Sequence, residues 1–467
     1  MSIPYIGNKV KQLRRKFSQS VGLPIKDTLP ESAIEAALAA ENYTYRACFF
    51  DPILTTWAFL SQTLDSDRSC RKAISRVMAY RCDQSEQAPD AASHSKKPGT
   101  GAYCKARQRL PESVLERLYQ TVSQQLEKGV DKTRLWFGRR VFLADGTTVL
   151  LPDTPDNQAS YPQHPNQKEG CGFPLVKLVV LFSLTTGAVI DAVCDVWSVY
   201  EPALLRLMCD CLKPLDVLVC DRLYCSYADI FFWGYQQQVD VVFRLHQARK
   251  VYFCKGKRLG KDDRVFIWDK PKRRPKGLPQ HLYDSLPPTL EIRVIRFTVD
   301  HKGYRSKTIW VATTLLDPVA YPKNKIADLY ERRWDAEINL RHLKTSMDMD
   351  MLRTKSPEMA RKELSIYFLA YNLIRSLMDL AAKTCDQDPL RLSFKGTLQH
   401  LNTFLPLLAM ATPKERKYFY NALLCFVGNE RLPDRPHRFE PRVVKRRPKS
   451  SRWMQEPRAV LKQKLSA

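Results

Sequence analysis

Arg140-Val-Phe-Leu-Ala-Asp145 and Asp216-Val-Leu-Val-Cys-Asp221 are two short runs of apolar, largely β-forming residues, and each closes on an aspartate. The segments around them carry the same signal. Leu175 to Leu184 and Ala188 to Val196 are β-rich and joined by Thr185-Thr186-Gly187, a hairpin signature. A helix is predicted from about Glu201 to Leu212, another near Ser226 to Gln238, and a strand over Val239 to Leu245. Three strands, a helix, a strand, a helix and a strand imply a mixed α/β sheet with helices on its faces. Arg249 to Lys276 then breaks the pattern with basic residues, Gly and Pro. Further strands follow at Leu290 to Thr298 and Lys307 to Ala312, so residues 247–321 read as a β-rich insertion subdomain. Helix resumes near Ile326 and continues past Met349.

Outside this core the chain reads as helical. Ser32-Ala-Ile-Glu35 has the form of a capping box, Pro52 to Leu64 forms a second helix, and Asp65-Ser66-Asp67 caps a third from Arg68 to Arg81. In the third, Cys70, Ala73, Ile74, Val77 and Met78 share one face, while Arg68, Arg71, Lys72 and Arg76 share another. That basic face suits either a helix-turn-helix-like DNA reader or an ordinary solvated surface. The expected organisation is a helical N-terminal DNA-binding region (1–83), a linker (84–100), a helical connector (101–138) and a first core part (139–246). The insertion (247–321), a second core part (322–384) and a helical C-terminal region with a basic tail (385–467) complete it.

Composition narrows the partners. The 467 residues carry 75 Lys+Arg against 49 Asp+Glu, a net charge of +26, with 44% hydrophobic residues. That apolar content builds real cores, which excludes wholesale disorder, and the charge predicts attraction to a polyanion. The excess is localised: residues 249–276 and 431–467 each hold 12 basic and 3 acidic residues. No apolar run is long enough to span a bilayer, since Ile366-Tyr-Phe-Leu-Ala-Tyr-Asn-Leu-Ile-Arg-Ser-Leu-Met-Asp-Leu380 is broken by Arg375 and Asp379, so no membrane partner is expected. The first residues are basic but lack an apolar run behind them, which argues against a secretory signal. The 13 cysteines are unclustered and form no CxxC pair, fitting core thiols in a reducing cytoplasm better than disulfides or zinc.

Two strand-ending aspartates beside one another suit chemistry, because ligands of mixed sheets gather beyond strand ends; either alone also suits a simple turn. Gly146 permits close backbone approach to DNA, and Thr147 joins it in shaping a loop. A third acid lies in Tyr330-Glu-Arg-Arg-Trp-Asp-Ala-Glu-Ile-Asn-Leu-Arg-His-Leu-Lys344. On a helix Tyr330, Arg333, Glu337, Arg341 and Lys344 fall in one stripe, while Glu331 and Asp335 point elsewhere. The stripe is either a salt-bridged solvated face or an acid that holds metal with neighbours that grip phosphates. Asp153 and Asp195 read as turn or cap residues.

Asp145-Gly-Thr-Thr, Asp221-Arg-x-Tyr-x-Ser and Tyr330-x2-Arg333-x3-Glu337-x6-Lys344 resemble the Asp-Asp-Glu transposases of bacterial insertion sequences, in the subgroup named for its Tyr-Arg-Glu-Lys signature. Ala102 to Leu110 and Pro441 to Pro448 are also similar to family segments, so the resemblance spans about residues 100–450. It implies an RNase H-like catalytic fold. It also implies that Asp145, Asp221 and Glu337 are the catalytic carboxylates and bind two Mg2+, which Mn2+ can replace; clustered carboxylates need such cations to stay ionised.

The resemblance further implies a cut-and-paste enzyme acting on double-stranded DNA, binding inverted terminal repeats and pairing two ends in a homodimer. Arg333, Arg341 and Lys344 then hold phosphates, Tyr330 contacts the strand end, and Arg273, Arg274, Lys445, Arg446 and Arg447 supply basic contacts from insertion and tail. Relatives with such an insertion form a DNA hairpin in which a flipped base stacks on a tryptophan. Trp268 is the candidate, unless it packs on the insertion's own strands. Trp310 reads as core, and Trp334 is suited to DNA or to the sheet. The alternatives are a catalytically inactive repressor derived from a transposase and an RNase H-like nuclease.

Overall fold

The computed structural model describes residues 28–82, 99–246, 249, 251–275, 277–299, 308–433 and 454–466. The chain divides into two compact units. One holds residues 131–185, 190–340 and 433–467, the other residues 1–130, 186–189 and 341–432.

The first unit is built on nine strands: β1 (Val141–Leu150), β2 (Leu175–Ser183), β3 (Val189–Val196), β4 (Val217–Cys220), β5 (Asp240–Arg244), β6 (Lys257–Gly260), β7 (Asp263–Asp269), β8 (Thr289–Thr298) and β9 (Thr308–Thr313). They form one sheet in the order β3-β2-β1-β4-β5-β9-β8-β7-β6. β1 runs antiparallel to β2 and parallel to β4, β4 is parallel to β5, and β9 returns antiparallel to β5. This mixed α/β sheet is the RNase H-like fold that the resemblance implied. The parallel strands read as unbroken apolar runs because both their faces are covered; Val217, Leu218, Val219 and Cys220 are fully buried. On one face Phe142, Ala144, Val179, Leu181, Val241 and Phe243 pack with Tyr227, Ile230 and Trp233.

Several elements differ from the sequence reading. β1 does not stop at Asp145 but continues to Leu150, because β2 pairs with it as far as Leu150↔Leu175. Gly146 and Thr147 therefore belong to a strand, not a loop. The insertion's strands continue the core sheet through the β5–β9 ladder. The basic stretch expected to be irregular contains the hairpin β6–β7. Its alternation was hidden because Asp263 occupies an inward position, where it pairs with the fully buried Arg293. The helix expected near Glu201 is α-helical only over Glu201–Arg206, and the one near Ser226 passes from Tyr227–Ile230 into a π-helical stretch, Phe231–Gln236.

The long helix expected from Ile326 past Met349 is interrupted. Lys323–Glu331 ends before Arg332 and Arg333, Trp334–Arg341 follows, and His342–Ser346 is π-helical. At the junction Arg333 N donates to Tyr330 O and Ala336 N to Arg333 O, three residues back rather than four. Local overwinding thus sets the direction of the helix that carries Glu337.

The second unit is helical. Its 29-residue helix Pro357–Cys385 is buried along most of its length. The polar residues that keep this apolar stretch from resembling a membrane span are satisfied internally. Asn372 accepts from Val189 N and donates to the carbonyls of Val189 and Tyr119, and Arg375 donates to Tyr371 Oη. Among the described residues no helix is long and apolar enough to cross a membrane. The first described helix, Glu31–Ala40, starts at Pro30 without a side-chain cap, so the capping box expected at Ser32 is not formed. Pro52–Leu64 is present as expected, capped by Asp51, and the third helix begins at Cys70. On that third helix Arg71 and Lys72 are exposed, whereas Arg76 pairs with Asp65 and Arg68 with Asp348. The basic face is therefore half consumed by internal pairing.

Candidate active site

The parallel ladder between β1 and β4 pairs Val141 with Val217 and Leu143 with Val219. Continuing that register by two residues sets Asp145 level with Asp221. β4 ends at Cys220, leaving that edge of β1 open where Asp145 projects. Asp221 opens the turn Arg222–Tyr224, but its side chain caps nothing there, so its carboxylate is not spent on the turn. Instead Tyr330 Oη donates to Asp221 Oδ1 at 3.5 Å.

Arg333 is the hub of the cluster. It donates to Glu337 Oε1 at 2.7 Å, one helical turn along, and its charge reaches Asp145, Asp221 and Tyr330. Burial works to lower the Arg333 pKa, but Tyr330, Glu337 and Asp221 together raise it above its ordinary value. Asp145 shows the opposing strain. Burial raises its carboxyl to about 7, with Glu337 and Asp221 adding to the rise, while Arg333 and the Gly146 N–H, 2.9 Å from Oδ1, hold it down. Burial is thus the main reason the carboxyl resists ionisation, and the two neighbouring carboxylates add to it. Three carboxylates are hard oxygen donors of the kind that suit Mg2+ or Mn2+. Among the described residues, however, no three His, Cys, Asp or Glu side chains stand close enough together to hold an ion.

The other expected site residues divide. Tyr330 is 4% exposed, burial raises its hydroxyl pKa, and its hydroxyl faces Asp221. Trp268 is also buried, at 6%, with the Arg249 guanidinium 3.8 Å from its ring centroid. In this conformation it is not an open stacking platform, because its position on β7 turns it toward the core. Trp310, expected in the core, is only partly buried, beneath Phe253 and Arg296. Trp334 is 42% exposed. Arg273 and Arg274 are exposed, as is Arg341, while Lys344 pairs with Asp350 at 3.0 Å within the helical unit. Lys445, Arg446 and Arg447 lie outside the described residues.

The sequence reading missed Glu201. A β-carbon on Gly146 would stand 2.3 Å from Glu201 Oε2, so this glycine makes room for a carboxylate of the chain itself. Glu201 accepts from Tyr224 Oη at 3.4 Å and lies 3.9 Å from Lys177 Nζ. The available signal was the glycine after the first aspartate. Asp153 and Asp195 act locally as read, accepting from Gln158 Nε2 and from Val196 N.

The transposase DDE domain is the family whose sequence model this chain matches. That family matches residues 136–373, about half of the chain, and the chain belongs to it. Among named proteins it is similar to the transposase InsG of insertion sequence element IS4 from Escherichia coli (strain K12), with 28% identity over 359 residues, 74% of this chain and 76% of the relative. A cryo-EM structure of the piggyBac transposase synaptic complex with hairpin DNA aligns with a TM-score of 0.42 and 10% identity, covering 90% of this chain and 86% of that one.

Proposed function

We propose that this DDE transposase binds the terminal inverted repeats of its own insertion sequence, cleaves there by metal-dependent phosphodiester hydrolysis, and joins the freed 3′-hydroxyls to target DNA. The reading is cut-and-paste, with two ends paired in a homodimer. The observation that carries it is the electrostatic coupling of Asp145 to Asp221, Glu337 and Arg333, with Arg333 hydrogen-bonded to Glu337. When bound, two divalent ions supply the Lewis acidity that activates the attacking hydroxyl and stabilises the leaving oxygen. Asp145, Asp221 and Glu337 are the residues that would hold them, and Glu337 must first leave Arg333.

The remaining roles belong to the chain. Tyr330 fixes the Asp221 carboxylate. Arg333, once released from Glu337, is positioned to take a DNA phosphate in its place, and the exposed Arg273 and Arg274 extend the phosphate track. A repressor that has lost its chemistry is the weaker reading, since nothing in repression calls for a carboxyl held near neutrality beside two others.

The test is substitution of Asp145, Asp221 or Glu337 by Ala, followed by assays of end cleavage and end binding on labelled terminal DNA. Cleavage is expected to disappear in all three while binding persists; retained cleavage in any of them would sink the assignment.

A further inference from the structure

Far from the carboxylates along the chain, the helical unit contains a dithiol that the transposition chemistry does not use. Cys70 Sγ and Cys104 Sγ lie 3.7 Å apart, on the helices Cys70–Cys82 and Thr100–Arg109. Arg107, only 8% exposed, donates from the same guanidinium nitrogen to Cys70 Sγ at 3.2 Å and to Cys104 Sγ at 3.5 Å. Its other acceptor is Gln62 Oε1 at 3.4 Å, and its Nε has no hydrogen-bond partner. The guanidinium is wedged between the rings of Phe59 and Tyr103, 4.9 Å from each centroid, so it cannot readily turn away. Cys70 is also the first residue of a 13-residue helix, where the backbone N–H groups favour an anion. A helix N-terminus and an adjacent arginine are two of the features that make a cysteine nucleophilic. Burial raises the Cys70 pKa, and Arg107 opposes that rise.

We propose that Cys70 and Cys104 form a peroxide-sensitive pair that closes to a disulfide. The Cys70 thiolate attacks a hydroperoxide; an S–O bond forms, the O–O bond breaks, and the alcohol leaves after taking up a proton. Cys104 then attacks the Cys70 sulfenic sulfur; the S–S bond forms, the S–OH bond breaks, and hydroxide departs as water with the Cys104 proton. Two thiols and one hydroperoxide thus give one disulfide, one alcohol and one water. The product ties the helix bearing the exposed Arg71 and Lys72 to the helix Thr100–Arg109, which makes the basic face subject to oxidation.

The full-length protein is treated with hydrogen peroxide over a concentration series, alkylated, digested without reductant and mapped by mass spectrometry. The expected result is a Cys70–Cys104 linkage that appears at lower peroxide than any oxidation of the exposed Cys254 or Cys425. It should be reversed by dithiothreitol. Arg107→Lys keeps a charge without the two-sulfur geometry and should slow the linkage at least several-fold, while Cys104→Ser should stop the reaction at a Cys70 sulfenic acid that a dimedone probe traps. Oxidation of Cys254 or Cys425 before any Cys70–Cys104 linkage would overturn the proposal, as would a Cys104→Ser protein in which Cys70 stays unreactive to dimedone.

Discussion

At the scale of single residues, Asp145 carries the clearest physical signature. Its folded pKa of about 7 lies well above that of an ordinary aspartate, so between about pH 4 and 7 the folded protein holds a proton that the unfolded chain has released. Bound protons in the folded state make stability fall as pH rises through that window. In chelator, the wild-type melting temperature should therefore decline from pH 5 to pH 8 more steeply than that of Asp145→Asn, and the variant should melt several degrees higher at pH 8. Added Mg2+ should raise the wild type at pH 8 and leave Asp145→Asn little changed. A wild type and variant with parallel pH profiles would show that this carboxyl is not under such strain. Asp145, Asp221 and Glu337 stand out in the sequence as the candidate acids because of their spacing to Gly, Tyr, Arg and Lys. Their partners do not. Nothing in a linear reading places Glu201 against Gly146, or turns Tyr330 inward onto Asp221, since both contacts are made across the fold.

At the scale of elements, the buried pair Asp263–Arg293 joins β7 to β8, and its guanidinium also donates to the carbonyls of Leu315 and Tyr321. Those carbonyls lie on the segment leading into the helix Lys323–Glu331, so one arginine fastens the insertion to the approach of the Tyr330 helix. Both side chains are nearly inaccessible, at 0% and 5%. Asp263→Ala leaves a buried charge uncompensated and should cost about 3–5 kcal/mol in chemical denaturation. A loss under about 1 kcal/mol would mean that the guanidinium finds water or another acceptor. The same pair explains what the sequence concealed. Strands with apolar buried positions, such as β4, were legible, and β8 was legible from the apolar residues around its buried Arg293, whereas β7 begins with an inward aspartate amid basic residues and reads as a polar break. The helix carrying Glu337 was legible in its periodicity but not in its interruption, because no proline or glycine marks Arg332 and Arg333; the overwound turn follows from tertiary packing.

At the scale of the whole molecule, the net charge of +26 predicts strongly salt-dependent DNA binding. The logarithm of end affinity should fall linearly with the logarithm of salt concentration, with a slope of about −0.9 for each phosphate neutralised. Replacing Arg273 and Arg274 together by Ala should make that slope shallower by about 2 and weaken all DNA sequences alike. An unchanged slope would place the insertion's charge away from the DNA path.

The β5–β9 ladder has a consequence for how the protein is made. It pairs Val242 with Thr313 and Arg244 with Val311, residues roughly 70 positions apart, and such non-local closures are slow steps in folding. During synthesis Asp145 and Asp221 emerge early, but the chain must make and dock the entire insertion before Glu337 can arrive. A nascent or truncated chain ending within the insertion carries the N-terminal helices and only two of the three candidate acids. The three candidate acids thus come together only after the insertion and the helix behind it have been made.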